Sequence, residues 1–275
     1  MTDSTRRPIR ARIAESRLSP LAALAPRALI GAKHISKQAR HVSRWLVSSR
    51  EHTNFTYELT YNNMEHLKWF VSAITNQSYV TTSTYVDEIL NDTHLKSTYV
   101  QALHESARRG LADVNVRFGR RVAWYALIRA KRPKLIVETG TDKGLGSLVM
   151  ASALIRNGAG HLITIDINPA AGYLIRDAYR EVTTIHVGDS ISIINGLDDD
   201  VDLFLHDSDH SASHERRELQ AISTHLSSDA VVMSDNAHVT DVLSEWAQSH
   251  DRRFLFFSEE PKNHWYPGAG LGVAW

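Results

Sequence analysis

Short apolar runs ending in polar residues recur through the second half of the chain. The first is Leu135, Ile136 and Val137, led in by Pro133 and Lys134 and closed by Glu138. A run apolar on both faces predicts a buried parallel strand. Gly140 and Gly144 follow in a tight turn. The next apolar stretch, Leu148 to Ile155, is long enough for a helix packed on a sheet. Further strands are predicted at residues 162–167, 182–187, 201–205, 230–233 and 254–257, with 270–275 as a last edge strand. Helices fit between them at 170–180, 211–226 and 239–249. Strands separated by helices predict an α/β fold, a Rossmann-like doubly wound and mostly parallel sheet.

The first half reads differently. Residues 18–49 can form helices, interrupted near Pro26 and Gly31. Residues 53–60, TNFTYELT, alternate aromatic and polar side chains and are expected to be extended, with a lid over a binding site as one use for them. Asn62 or Asn63 is placed as a helix N-cap. Met64, Leu67, Phe70, Val71 and Ile74 then form one stripe at helical spacing. More helices are predicted at 83–90, 94–109 and 116–132. The expected division is an N-terminal helical cap, residues 1–120, on a ligand-binding domain, residues 121–275.

Composition narrows the function. Of the 275 residues 43% are hydrophobic and 23% charged, which suits a globular core. Formal net charge is zero, which argues against nucleic acid as a partner. Residues 1–50, however, hold 11 Lys plus Arg against 2 Asp plus Glu. A solvated basic helix face is the favoured reading, ahead of contact with a membrane surface or an acidic partner. The absence of cysteine excludes disulfides and thiolate chemistry. No signal-peptide pattern is present, and no run approaches the ~20 apolar residues of a membrane span. The expectation is a cytoplasmic protein, with a homo-oligomer left open.

Ligands of doubly wound sheets bind at the carboxyl ends of the strands. Asp166 ends the second strand, 26 residues after Gly140. An acid there is placed to accept hydrogen bonds from a ribose hydroxyl pair. Nicotinamide dinucleotides and S-adenosylmethionine both carry that ribose. A pyrophosphate needs a second glycine where this turn has Asp142, and Glu138 also suits a cationic ligand better. The ammonium and sulfonium of S-adenosylmethionine are cationic. The plain alternative for Asp166 is an N-cap for the segment at Pro169.

The stretches ETGTDKG, LITIDINP, VGDS, FLHDSDH and MSDNAH, in this order and spacing, resemble class I S-adenosylmethionine-dependent methyltransferases. Within that class they are similar to the metal-dependent O-methyltransferases of the catechol and caffeoyl-CoA type and to macrolide-sugar O-methyltransferases. The resemblance covers about residues 121–275. It implies a seven-stranded methyltransferase sheet and a cofactor site of Glu138, Gly140, Thr141, Lys143, Gly144, Ser147, Asp166, Ile167, Asp189 and Ser190. In that site Lys143 and Ser147 would lie near the methionine carboxylate, Asp166 at the ribose, and Asp189 with Ser190 at the adenine.

Asp207, Asp235 and Asn236 supply hard oxygen ligands, suited to Mg²⁺ or another divalent cation. The resemblance gives this trio to the metal. The catechol type has a lysine base three residues after its first metal aspartate, and here that position is His210. A histidine suits general-base work near neutral pH. The departure points away from catechol and toward a less acidic hydroxyl on a small molecule, such as a sugar or glycosylated natural product. Bland readings stand beside these. Asp207 and Asp209 could cap the helix near Ser211, and Asp235 with Asn236 the helix after Val239. His214 and His238 are expected to support the site or face solvent. Trp265 and Tyr266 belong to a turn or wall the acceptor pocket. Two other classes remain, a nicotinamide-dependent oxidoreductase and a non-catalytic adenosylmethionine-binding protein.

Overall fold

The computed structural model describes residues 23–51, 55–198 and 200–275. The chain divides into two compact units, one running to Ser49 and including Asn263–Trp265, the other Arg50–Lys262 with Tyr266–Trp275. In the first unit, helix α1 spans Leu24–Ser48 without a break. The interruption expected at Pro26 and Gly31 does not occur. Pro26 is the third residue of the helix, where an N–H has no intrahelical acceptor anyway. Gly31 meets nothing within 4 Å and lowers only local propensity. The Trp45 and Trp265 rings pack with centroids 5.1 Å apart. No helix among the described residues is long and apolar enough to cross a membrane.

The second unit begins with three helices, α2 (Tyr61–Thr75), α3 (Tyr79–Leu90) and α4 (Thr93–Glu105). Each starts on a side-chain cap. The Asn63, Thr81 and Leu95 amides donate to Thr60, Ser78 and Asp92 respectively. Thr60 therefore takes the N-cap position expected at Asn62 or Asn63, which lie inside α2. Helix α5 (Arg121–Lys131) leads into β1 (Leu135–Thr139), α6 (Leu145–Asn157) and β2 (His161–Asp166). Then follow α7 (Asp177–Glu181), β3 (Thr183–Val187), α8 (Ser190–Ile194), β4 (Val201–His206) and α9 (Ala212–Ile222). The chain closes with β5 (Leu226–Asp235), α10 (Val242–Ser249), β6 (Phe254–Ser258) and β7 (Gly270–Ala274).

These strands make one seven-stranded sheet in the order β3-β2-β1-β4-β5-β7-β6. Strands β1 to β5 are parallel, and β7 runs antiparallel to both neighbours. The expected edge strand at 270–275 is thus an inner strand, buried at all five positions. Its glycines permit this. A Cβ on Gly270 would meet the Phe256 ring at 2.1 Å, and one on Gly272 would meet Ala237 Cβ at 2.7 Å. The helix expected over 170–180 is reduced to α7. Gly172 turns at φ +73° and donates its N–H to the Asp142 carbonyl, 2.7 Å away, ending any helix before it forms.

Both faces of the sheet are covered, which explains why its central strands read as continuous apolar runs. On one face Trp124, Leu127 and Ile128 of α5 pack with Leu148 and Val149 of α6. The same core takes in Leu67 and Phe70 of α2, Ile89 of α3 and Leu103 of α4. Fully burying a side chain of this size contributes ~1.5–3 kcal/mol, so residues 50–120 are held to the sheet by a shared core. The other face buries Phe204 and Val232 against Leu219 and Ile222 of α9 and Trp246 of α10.

Candidate active site

A cavity of about 660 Å³ opens at the carboxyl ends of β1, β2, β4 and β5. Gly140 forms its floor at φ +91°, where a Cβ would lie 1.9 Å from the Asp207 carbonyl oxygen. No other residue fits there, because the backbones after β1 and β4 touch at this point. Asp166 stands on the wall. Its two carboxylate oxygens accept the N–H groups of Asp142 and Asn168, each at 2.8 Å. The capping helix foreseen at Pro169 is absent, so Asp166 shapes the turn and keeps lone pairs for a ligand in the cavity. Ile167, Asp189 and Ser190 line the same end. Asp189 caps α8 by accepting the Ser192 amide at 2.8 Å, which holds its carboxyl below the usual range.

Five residues assigned to the cofactor by resemblance do not line this cavity. Glu138, Thr141, Lys143, Gly144 and Ser147 are all buried. Lys143 Nζ donates to Glu51 Oε1 at 3.0 Å, and both side chains are buried. Gly144 is the N-cap of α6 at φ +91°. The hydroxyls of Ser147 and Thr164 donate to Glu138 Oε2 at 2.5 and 2.6 Å, and Thr141 pairs with Thr164 at 2.6 Å.

Burial pushes the Glu138 carboxyl up from 4.5 to about 7, against the hydrogen bonds that lower it. A carboxyl whose folded value is raised stabilises fully below its unfolded value, and that contribution is lost as pH climbs through the folded one. At ~1.4 kcal/mol per unit, the loss between pH 4.5 and about 7 is ~3 kcal/mol. Glu138→Gln keeps an oxygen for both hydroxyls and removes the titration. Thermal melts across this window should fall with pH in the wild type and flatten in the variant. Parallel curves would refute the assignment.

The acceptor end gathers Asp207, His210, Asp235 and Asn236. Ligand atoms of Asp207, His210 and Asp235 all lie within 4.8 Å of one another. The capping alternatives do not hold. Ser211 caps α9 by accepting the His214 amide, and the N-cap position of α10 is Asp241. Arg120, just before α5, clasps Asp235 in a bidentate ion pair. Its Nη1 also lies 3.3 Å from Glu259 Oε2, which accepts the Tyr57 hydroxyl at 2.9 Å. Burial would raise Asp235, but the Arg120 charge and hydrogen bonds outweigh it and hold Asp235 low. Asp207 goes the other way, raised well above the carboxylate range by burial and by the neighbouring Asp235 charge.

His210 Nε2 is 3.9 Å from Asp207 Oδ1, and its Nδ1 is buried with no partner among the described residues. Burial lowers its pKa, so the imidazole is neutral at physiological pH. Behind it Glu218 accepts from Thr139 at 2.7 Å and Ser208 at 2.9 Å, and contacts His206 at 2.6 Å and His214 at 2.9 Å. Burial alone would raise Glu218, but these bonds bring it down to about 2. His214 reaches the cavity wall, whereas His238 is exposed and outside it. Phe55, Tyr57 and Tyr266 form an aromatic wall, with Tyr266 5.5 and 5.9 Å from the other two rings. The TNFTYELT stretch therefore contributes to the cavity through Phe55 and Tyr57.

Sequence reasoning missed Arg120, Glu218 and Glu259. The one local signal was a charged pair, Arg120 and Arg121, opening an otherwise apolar helix.

Residues 137–237 match the Methyltransf_24 family model, described as a methyltransferase domain. The chain is similar to the solved O-methyltransferase TomG of Streptomyces achromogenes, involved in tomaymycin synthesis and bound to SAM. Identity is 20% and the TM-score 0.53, over 67% of this chain and 90% of that one. It is similar to an O-methyltransferase of Bacillus cereus in complex with SAH, at 14% identity and TM-score 0.53, over 70% and 99% of the two chains. Cofactor-bound Rv0187 from MTB gives 14% identity and a TM-score of 0.55, over 70% and 94%. At these identities the likeness is one of fold. No curated protein matches the sequence. The fold and the match over residues 137–237 point to the class of S-adenosylmethionine-dependent methyltransferases.

Proposed function

We propose that the enzyme transfers the methyl group of S-adenosylmethionine to a hydroxyl of a small molecule, with His210 as base and a divalent cation beside it. One observation carries this reading. A single cavity is lined both by the strand-end acids Asp166 and Asp189 and by a partly buried cluster of Asp207, His210, Asp235 and Asn236. A dinucleotide fits this cavity poorly, because Asp142 also lines it and would face a pyrophosphate.

Asp207, Asp235 and Glu259 are three carboxyls with one guanidinium, Arg120, in contact. Asp207 and Asp235 must share a proton to lie side by side. Such a set favours exchange of that proton for a divalent cation, and hard oxygen donors suit Mg²⁺. The residues fit. Asp207, Asp235 and Asn236 would hold the ion, which when bound lowers the pKa of the acceptor hydroxyl and fixes its oxygen.

The chain's own residues do the rest. Asp166 accepts the ribose hydroxyls and Asp189 lies at the base. Arg120 holds Asp235 in one orientation. Neutral His210 takes the hydroxyl proton as the acceptor oxygen forms its bond to the methyl carbon. The carbon–sulfur bond breaks, leaving the ether, adenosylhomocysteine and imidazolium. The wall of Phe55, Tyr57 and Tyr266 suits the flat face of a ring, sugar or phenol.

The test is methyl transfer to a panel of sugars and phenols, with EDTA and then with added Mg²⁺. Turnover should stop on chelation and return with the ion. Full activity in EDTA would end the cation reading, and methylation confined to nitrogen or carbon acceptors would end the hydroxyl reading.

A further inference from the structure

Helix α1 presents two faces along its 25 residues. Leu24, Ala28, Ala32, Ile35, Ala39, Val42 and Leu46 follow spacings of four, four, three, four, three and four, and so share one face. Lys33, Lys37, Arg40 and Arg44 follow spacings of four, three and four on the opposite face. The helix contains no Asp or Glu. No residue of it is buried, and Leu24, Ile35 and Leu46 are 64%, 68% and 65% exposed. An apolar stripe left open to water is unfavourable unless something covers it.

Charge selects the occupant. A second copy of α1 would bring the same positive face and no acid to pair with it. Residues 1–22 carry five more arginines against Asp3 and Glu15, so they too add positive charge. A nucleic acid would answer the charge and leave the stripe uncovered. An anionic lipid surface answers both faces at once, because headgroups meet lysine and arginine while the stripe enters the acyl boundary. We propose that α1 lies in the interface of anionic membranes and brings the methyltransferase unit to that surface. This reading is independent of the acceptor and of the cation.

The experiment is co-sedimentation of the full chain with phosphatidylglycerol-containing vesicles and with pure phosphatidylcholine vesicles, at low and high salt. Binding should be found on the anionic vesicles, weaken with salt and be far weaker on phosphatidylcholine. Replacing Lys33, Lys37, Arg40 and Arg44 by Gln should weaken it at least ~100-fold, given the contribution of each basic residue near such a surface. Ile35→Ser with Val42→Ser and Leu46→Ser should also abolish it. All these positions are exposed, so cofactor binding should be unchanged and reports that the fold is intact. Absence of vesicle binding, equal binding to both vesicle types, or an unaffected stripe variant would each overturn the proposal. So would a stripe variant whose one effect is to turn a dimer into a monomer in solution.

Discussion

Arg120→Met should lower the melting temperature of the enzyme by on the order of 10 °C. Arg120 is 6% exposed, and its guanidinium clasps Asp235 and touches Glu259. A methionine fills similar space, so the loss is electrostatic. Removing one partner of a buried ion pair costs about 3–5 kcal/mol, because the other charge stays desolvated and unpaired. In a chain of this size each kcal/mol shifts the midpoint by ~2–4 °C. The carboxyls can blunt the loss only by taking up protons, so the deficit should be larger at pH 8 than at pH 5. Added Mn²⁺ or Mg²⁺ should restore part of the midpoint in the variant, since binding to the folded state alone is stabilising. A variant that melts with the wild type at every pH would show that Asp235 does not depend on Arg120. A variant deaf to both ions would show that the cluster does not hold one.

That pair was invisible in the sequence, and the reason is physical. Arg120 and Asp235 are 115 residues apart, and nothing near either residue marks the other. The sheet was legible because each parallel strand is buried on both faces and reads as an apolar run. Strand order was not, since the pattern of β7 is the same for an inner strand as for an edge. The strand-end acids Asp166, Asp189, Asp207 and Asp235 were legible because topology alone sends strand ends to one side. Within the glycine turn that logic fails. Lys143 is three residues from Gly140, yet its side chain runs to Glu51, 92 residues away in sequence and unmarked by anything near it. Glu218 was equally hidden. In the middle of α9 it reads as one more charged residue on an amphipathic helix, and its role appears only where Thr139, Ser190, His206, Ser208 and His214 converge on it.

His210→Ala should reduce kcat by ~10²–10⁴-fold, the usual contribution of a positioned general base. Cofactor affinity should not change, because Asp166 and Asp189 stand at the other end of the cavity. Metal affinity should hold as well, since Asp207, Asp235 and Asn236 remain. Burial lowers the His210 pKa, so the wild-type imidazole stays neutral down to below its ordinary value near 6.5. Wild-type kcat should therefore be flat at neutral pH and fall only on the acid side. In the variant kcat should instead rise with pH, as hydroxide replaces the missing base, and the gap between the two should narrow. Asp235→Ala should fail differently, losing turnover at every pH, with no recovery from hydroxide. Single-turnover methyl transfer followed against pH separates these cases. An unchanged kcat in His210→Ala would remove the base assignment, and an equal loss at every pH would make His210 a residue that orders the site without taking the proton.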